Sequence, residues 1–148
     1  MSQETYPQKT KVLFLCTGNS CRSQMAEGLA RHLKGNRIDA YSAGIETHGI
    51  NPYAVTVMKE IGIDISNQRS KHVSEFANIK FDLVITVCDH AQKSCPIFHG
   101  NTKVVHVGFD DSPKLAAACE SEEAKFDCYR CVRDEIKRFV ETLLGESG

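Results

Sequence analysis

The chain has 148 residues, 41% of them hydrophobic and 25% charged, which predicts one ordinary globular domain over residues 1–148 with an ordered core at 9–144. Because 18 Lys and Arg residues stand against 19 Asp and Glu residues, the formal net charge is −1, and no general basic field attracts nucleic acid or an anionic membrane. The polar segment Met1–Thr10 and the lack of a long apolar run argue against a secretory signal or a membrane span, so we expect a cytoplasmic protein.

The predicted elements begin with Lys11–Cys16, a short apolar run that suits a buried strand and ends before Gly18. From Cys21 the apolar residues recur at helical spacing until Gly35, a residue typical of helix ends. Ile38–Ala43 predicts a second strand.

The Asn51–Pro52 pair opens a second predicted helix, which ends near Gly62. Asp82–Cys88 and Lys103–Val107 predict the third and fourth strands. A final helix is expected after a cap at Ser121. Its apolar face has 3-4-3-4 spacing, with Tyr129, Val132, Ile136, Phe139 and Leu143.

Strands that alternate with helices predict an α/β fold. We expect a single doubly wound domain with a four-stranded parallel sheet flanked by helices. The tails, residues 1–8 and 145–148, are expected to fray.

The segment between the first strand and the first helix is a Cys-x5-Arg unit from Cys16 to Arg22. A short loop that enters a helix can turn its N–H groups inward, which suits a tetrahedral oxyanion. Arg22 would add a planar fork of donors. The remaining predicted substrate-binding residues are Thr17, Gly18, Asn19, Ser20, Cys21 and Ser23.

Cys16 would lie under this ring of donors as a nucleophile toward phosphorus or arsenic. Such a setting lowers a thiol pKa from about 8.5 to roughly 3.5–7.5. The hydroxyl of Ser23 would donate a further hydrogen bond to the sulfur. We read Cys21 as a supporting residue and not as a second nucleophile.

Cys88 follows the third strand, at the sheet edge where Cys16 follows the first strand. Cys95 lies seven residues beyond Cys88 in a polar segment that we expect to be mobile. From the residues alone, this pair is either a redox couple or a buried strand-end cysteine beside an inert loop thiol. Seven cysteines in a reducing compartment favour redox or metal chemistry over structural disulfides.

The motif Cys16–Gly28 resembles the opening of the low-molecular-weight tyrosine phosphatase fold. It is most similar to the thioredoxin-coupled arsenate reductases built on that fold, and the similarity spans nearly the whole chain. Further matching stretches are Tyr41–Glu46, Gly62–Gln68, Gly108–Asp111 and Val132–Ile136.

The resemblance implies a three-cysteine cascade that reduces arsenate to arsenite. Cys16 would attack arsenate, Cys88 would attack Cys16, and Cys95 would attack Cys88, after which thioredoxin would reduce the Cys88–Cys95 disulfide. A tyrosine or small-ester phosphatase is the main alternative, because it needs only one thiol and a general acid. A non-catalytic thiol sensor for arsenite or zinc is a further alternative that rests on cysteine content alone.

Asp111 is the predicted general acid, which protonates the oxygen that leaves as water. The family usually has proline directly after the acid, whereas Ser112 intervenes here before Pro113. Asp110 therefore stays an alternative acid, and a turn-forming role for Asp111 stays open too.

No tightly bound cofactor and no resident metal are expected, and the predicted partners are arsenate and thioredoxin for a monomeric protein. Some relatives bind a monovalent cation with residues that match Asn19, Glu27 and Ser42. Their fourth ligand aligns with Lys71, whose ammonium either replaces the cation or is a solvated surface group.

Three cysteines lie outside these motifs. The Cys128-x-x-Cys131 spacing is compatible with a redox pair or half of a zinc site. We favour structural or incidental thiols for Cys119, Cys128 and Cys131.

Overall fold

The computed structural model describes residues 9–93, 95 and 102–143 of the chain. The expected fraying of residues 1–8 and 145–148 lies outside these residues, as does Ser94 of the polar segment between Cys88 and Cys95 that was expected to be mobile. In the described part of the chain, no helix is long and apolar enough to cross a membrane.

Four parallel strands form one sheet: β1 (Thr10–Cys16), β2 (Ile38–Gly44), β3 (Leu83–Thr86) and β4 (Lys103–His106). The order is β2-β1-β3-β4, so the chain leaves β1 to one side and returns to the other side at β3. Ligands in open α/β sheets bind where the strand order reverses in this way, outside the carboxyl ends of the strands. The predicted parallel four-stranded sheet is confirmed.

Three long helices match the predicted ones: α1 (Arg22–Lys34), α2 (Pro52–Glu60) and a final helix that spans Glu122–Glu141. Both predicted N-caps are formed. The Asn51 side chain accepts hydrogen bonds from two N–H groups of α2, and Ser121 Oγ accepts one from Ala124 in the final helix.

Three short helices were not predicted: a 3-10 helix (Val73–Phe76), α3 (Asp89–Lys93) and α4 (Ser112–Ala117). The final helix is therefore α5. Elements of four to six residues are too short to show an apolar period, which explains why the sequence pattern missed them. The polar segment expected to be mobile after Cys88 thus begins with a helix.

The ends of α1 and α2 differ in backbone conformation. Gly62, just after α2, has φ +83°, a left-handed conformation that favours glycine. Gly35 follows α1 as predicted but stays in the right-handed helical region.

The core is built on β1, because it is the inner strand between β2 and β3. Val12, Leu13, Phe14 and Leu15 are all fully buried, as expected for a parallel strand covered on both faces. Against this sheet, α5 contributes Val132, Ile136 and Val140 to the core, whereas Phe139 is only partly buried. The core holds the ends of β1 and β3 in fixed positions, and the candidate site lies just beyond these ends.

Candidate active site

The loop after β1 is held by backbone hydrogen bonds from the segment that follows β2. The N–H groups of residues 45, 46, 48 and 51 donate to the carbonyls of Cys16, Thr17, Gly18 and Ser20, over 2.8–3.1 Å. The N–H and C=O groups of a trans peptide point in opposite directions. The N–H groups of the same peptide units therefore point away from the segment that follows β2 and are available to an anion.

Asn19 holds the loop from behind and is fully buried. Its φ of +50° is the left-handed conformation that such a loop requires and that asparagine tolerates. Its side-chain amide donates to Ser23 Oγ at 2.8 Å and to Ser42 Oγ at 2.9 Å, and its side-chain carbonyl accepts from the Lys71 N–H.

This network changes the expected role of Ser23. Ser23 is fully buried, and its hydroxyl oxygen is engaged by Asn19 and not by the Cys16 sulfur. Neither side chain lines the cavity, so Asn19 and Ser23 shape the loop from behind and could reach an anion only through the backbone.

A cavity of about 370 Å³ lies over the loop. No Phe, Tyr or Trp is among the described residues that line it. They belong to Cys16, Thr17, Gly18, Ser20, Cys21, Arg22, His48, Asn51, Asp111 and Pro113.

A second cavity of about 340 Å³ adjoins the first, and Cys88 is part of its wall. Thr17, Arg22 and Asp111 line both cavities, so they separate the space over Cys16 from the space over Cys88. Asp110 lines only the second cavity.

Arg22 begins α1 and reaches across this shared wall. Its Nη1 donates to the Phe109 carbonyl at 2.9 Å, and its Nη2 lies 3.8 Å from Asp111 Oδ2. The Arg22 side chain is 12% exposed and that of Asp111 is 46% exposed. Asp111 also caps α4, because its Oδ1 accepts from the Lys114 N–H. The turn-forming role and a place at the cavity are therefore compatible.

The ionisations of the Cys16 and Cys88 thiols are coupled. The Cys16 thiol is the largest of the causes that lower the pKa of Cys88, although burial opposes them. The Thr17 hydroxyl, 3.1 Å from the Cys88 sulfur, and the Ala91 N–H at 3.4 Å contribute to this lowering, which brings the pKa to about 5.

The expectation of a lowered pKa at Cys16 is wrong. The Cys88 thiol and burial raise the pKa of Cys16, whereas Arg22 and the Thr17 N–H oppose this rise. These directions favour a thiolate on Cys88 over one on Cys16. Proton transfer from Cys16 to Cys88 would move the negative charge to the sulfur beside Arg22.

Cys21, in the loop, and Cys95, the third cysteine of the predicted cascade, both have raised pKa values. Burial raises the pKa of Cys21 to about 12, although Arg22 and a hydrogen bond with Ser112 oppose the shift. Burial also raises the pKa of Cys95, which is partly buried. Cys88 is therefore the most acidic of these thiols.

Lys71 is buried, with 8% of the residue exposed, which contradicts a solvated surface lysine. Its ammonium lies 3.7 Å from Glu27 Oε1 and donates to the Arg69 carbonyl at 2.6 Å. Glu27 also accepts a hydrogen bond from Ser42 and pairs with Arg31. Burial lowers the pKa of Lys71, and the Glu27 carboxylate opposes that shift.

Sequence reasoning missed His48 and the close approach at Gly44. The His48 ring lies over Gly18, where a Cβ would come within 2.3 Å of Nδ1. A Cβ on Gly44 would lie 2.8 Å from both the Asn19 nitrogen and the Thr17 oxygen. The glycines were visible in the sequence, but the neighbours that require them come from elsewhere in the chain.

The described residues that line the two cavities do not include Cys119, Cys128 or Cys131. Within the described residues, no group of three or more His, Cys, Asp or Glu side chains could hold a metal ion. The zinc alternative therefore gains no support from these side chains.

A thiol and an arginine on one loop, at the point where a parallel sheet reverses its strand order, define an α/β protein with a cysteine-centred oxyanion loop. The chain belongs to the low molecular weight phosphotyrosine protein phosphatase family, whose model matches residues 11–147.

The chain is also similar to several arsenate reductases. It is 51% identical to the arsenate reductase of Halalkalibacterium halodurans over 95% of this chain and 98% of that one. It is 50% identical to the Bacillus subtilis arsenate reductase over 88% and 95% of the two chains. A solved arsenate reductase in the oxidized state superposes with a TM-score of 0.71 at 31% identity, covering 90% of this chain and 95% of that one.

Proposed function

We propose that this protein reduces arsenate to arsenite with thiol electrons. The observation that carries the proposal is that Cys16 and Cys88 have coupled ionisations and line adjoining cavities that share Arg22. A reductase needs a second thiol that can reach the sulfur of the first adduct, whereas a phosphatase does not. The arsenate reductases that share about half of this sequence support the same reaction.

Arsenate would bind over the loop, where Arg22 donates a planar fork to two oxygens. The amides of the loop from Thr17 to Ser23 would supply further donors. No Phe, Tyr or Trp is among the described lining residues of the cavity, which suits a small oxyanion better than a phosphotyrosine ring.

The first step joins sulfur to arsenic. Cys16 attacks arsenate after its proton has moved to Cys88, and one arsenate oxygen leaves as water. We assign the donated proton to Asp111, because this carboxyl lines the cavity over Cys16, whereas Asp110 does not.

The second step transfers two electrons to arsenic. Cys88 releases to solvent the proton that it took from Cys16 and then attacks the Cys16 sulfur as a thiolate. The sulfur–arsenic electron pair leaves with arsenite, and a Cys16–Cys88 disulfide stays behind. Cys95 then attacks Cys88, Cys16 leaves as a thiolate, and thioredoxin reduces the resulting Cys88–Cys95 disulfide.

The test is substitution of Cys88 by serine, measured as arsenate-dependent NADPH oxidation with thioredoxin and its reductase. Cys88→Ser is expected to abolish multiple turnover, because the arsenic adduct on Cys16 has no attacking thiol. Cys131→Ser is the matched control, since that thiol is exposed and outside both cavities. Equal turnover in wild type and Cys88→Ser would refute the cascade. A glutathione–glutaredoxin assay distinguishes the two reductants.

A phosphatase activity on tyrosine phosphate or small esters is the second candidate, and the family match favours it. Ester hydrolysis uses Cys16, Arg22 and Asp111 but not Cys88. The same Cys88→Ser variant is therefore expected to retain hydrolysis of a small aryl phosphate while it loses arsenate reduction.

The Lys71 ammonium replaces the monovalent cation that some relatives bind. Its position beside Glu27, with Ser42 and Asn19 in the same hydrogen-bonded network, supports this assignment. Turnover of the wild type is expected to be equal in potassium and choline buffers, whereas Lys71→Asp is expected to gain potassium-dependent stability. Potassium-dependent turnover of the wild type would contradict the replacement.

The proposed partners are arsenate and thioredoxin, with no tightly bound cofactor and no nucleic acid or membrane. We propose a cytoplasmic monomer. Cytoplasmic thioredoxin keeps thiols reduced, which the cascade requires.

A further inference from the structure

A second pair of sulfur atoms lies in contact outside the candidate active site. Cys119 follows α4, Cys128 lies on α5, and their Sγ atoms are 3.7 Å apart. The sequence spacing suggested Cys128 with Cys131 on the same helix, but the structure brings Cys128 to a residue on a different segment. Cys119 and Cys128 are both partly buried, whereas Cys131 is exposed.

We propose that Cys119 and Cys128 form a second, non-catalytic dithiol that closes to a disulfide in the presence of low-molecular-weight disulfides. A disulfide requires the sulfur atoms to approach to about 2.05 Å. Cys119 lies just after the end of α4, in a segment without regular structure, so it can make this approach while Cys128 stays on its helix.

The contact is specific to these two cysteines. Cys119 Sγ also donates to the Leu115 carbonyl at 3.5 Å, which orients it along α4 and toward α5. The Cys119 hydrogen bond contributes more than Cys131 to raising the pKa of Cys128, after burial. In the described residues this pair lacks the further ligands that a metal would need.

The chemistry is two successive thiol–disulfide exchanges. The Cys119 thiolate attacks the small disulfide, forms a mixed disulfide and releases one small thiol. The Cys128 thiolate then attacks the Cys119 sulfur and releases the second small thiol. Two electrons and two protons pass from the protein pair to the small disulfide, so no further reactant is required.

The bond would join α5 to the segment that begins with Asp111. Asp111 caps α4, and Ala116 of α4 is buried in the core. Closing the bond at the far end of α4 therefore restrains the helix that carries the candidate acid. The inference goes beyond arsenate reduction, and it holds whether or not that proposal is correct.

Tryptic peptides distinguish the possible bonds, because each of these cysteines falls in a different peptide. Cleavage after Lys and Arg gives residues 115–125 with Cys119, 126–130 with Cys128 and 131–133 with Cys131. The reduced full-length protein is treated with oxidised glutathione, quenched in acid, alkylated and digested. A crosslink between peptides 115–125 and 126–130 is the expected result.

The controls separate this pair from the other thiols. Cys131→Ser and Cys88→Ser are expected to leave the crosslink intact, and Cys119→Ser is expected to abolish it. No crosslink, or one that joins Cys128 to Cys131 or Cys119 to another cysteine, would overturn the proposal.

A second measurement tests the restraint itself. Oxidised wild type is expected to melt roughly 5–10 °C above its reduced form, because a crosslink constrains the unfolded chain. Cys119→Ser, treated identically, corrects for disulfides elsewhere. Hydrogen exchange of residues 112–118 is expected to slow in the oxidised wild type alone. Identical melting and exchange in both proteins would show that the bond restrains nothing.

Discussion

The molecule contains two pairs of interacting thiols, Cys16 with Cys88 and Cys119 with Cys128, and their surroundings give them opposite chemistry. In the Cys16–Cys88 pair, the Thr17 hydroxyl, the Ala91 N–H and Arg22 join the Cys16 thiol in lowering the pKa of Cys88 to about 5. In the Cys119–Cys128 pair, burial and the neighbouring thiol raise the pKa of Cys128. The comparison teaches that contact between two sulfurs does not by itself make a reactive thiolate. Donors and a cation beside the pair do so.

Because the pKa of Cys88 is lowered and that of Cys128 is raised, the two pairs can serve different purposes. A thiolate that exists at neutral pH can attack a bound adduct within one turnover. A pair in which the pKa of Cys128 is raised reacts slowly and responds to a sustained supply of oxidant. The surroundings of a cysteine, and not its residue type, therefore decide how its thiol reacts.

The largest expected difference is in the pH dependence of alkylation. Cys88 is expected to react with iodoacetamide with a midpoint near pH 5, and Cys128 with a midpoint above pH 9. Labelling is measured by mass spectrometry of residues 81–93 and 126–130, each with one cysteine. Coincident midpoints would contradict the proposed difference in acidity between Cys88 and Cys128.

The lowered pKa of Cys88 also has a consequence for stability. A group whose pKa is lower in the folded than in the unfolded protein stabilises the fold above its unfolded value, which is 9.0 for a thiol. This contribution is lost as the pH falls from about 9 toward 5. Cys16 and Cys128 contribute with the opposite sign, because folding favours their neutral thiols: their stabilisation is present below pH 9 and is lost at higher pH.

Substitution of Arg22 is expected to have the next largest effect. Arg22→Lys keeps the charge but removes the planar fork, so kcat/KM for arsenate is expected to fall by about 10²–10³-fold. Arg138→Lys, on an exposed position of α5, is the matched control. A loss no greater than that of the control would show that charge alone, without the fork, serves the reaction.

The smallest expected effect tests one hydrogen bond of the active pair. Thr17→Val removes the hydroxyl 3.1 Å from the Cys88 sulfur and is expected to raise the pKa of Cys88 by about one unit. Thiolate ultraviolet absorbance during a pH titration measures the shift. Thr56→Val serves as the control, because that hydroxyl donates only to the Pro52 carbonyl within α2. An unchanged titration would show that the Thr17 hydroxyl does not lower the pKa of Cys88.

The regular elements of the fold were visible in the sequence because their signals are local. The buried strand before Cys16, the Asn51 and Ser121 caps and the apolar stripe of α5 all depend on residues within a few positions of one another. The short helices α3 and α4 carry no such period, so their positions emerged only from the structure.

The sequence by itself determined the parallel α/β sheet, the anion loop and the cysteines available for chemistry. Only the tertiary structure decided which sulfurs meet, which of them ionises and which side chains line the cavity. Cys88 acquires its acidity chiefly from the Cys16 thiol and in part from the Thr17 hydroxyl, 71 positions away in the chain. Cys128 pairs with Cys119 and not with its helical neighbour Cys131. Thiol acidity depends on the distance and burial of charges and donors, and those distances are set only when remote segments pack together.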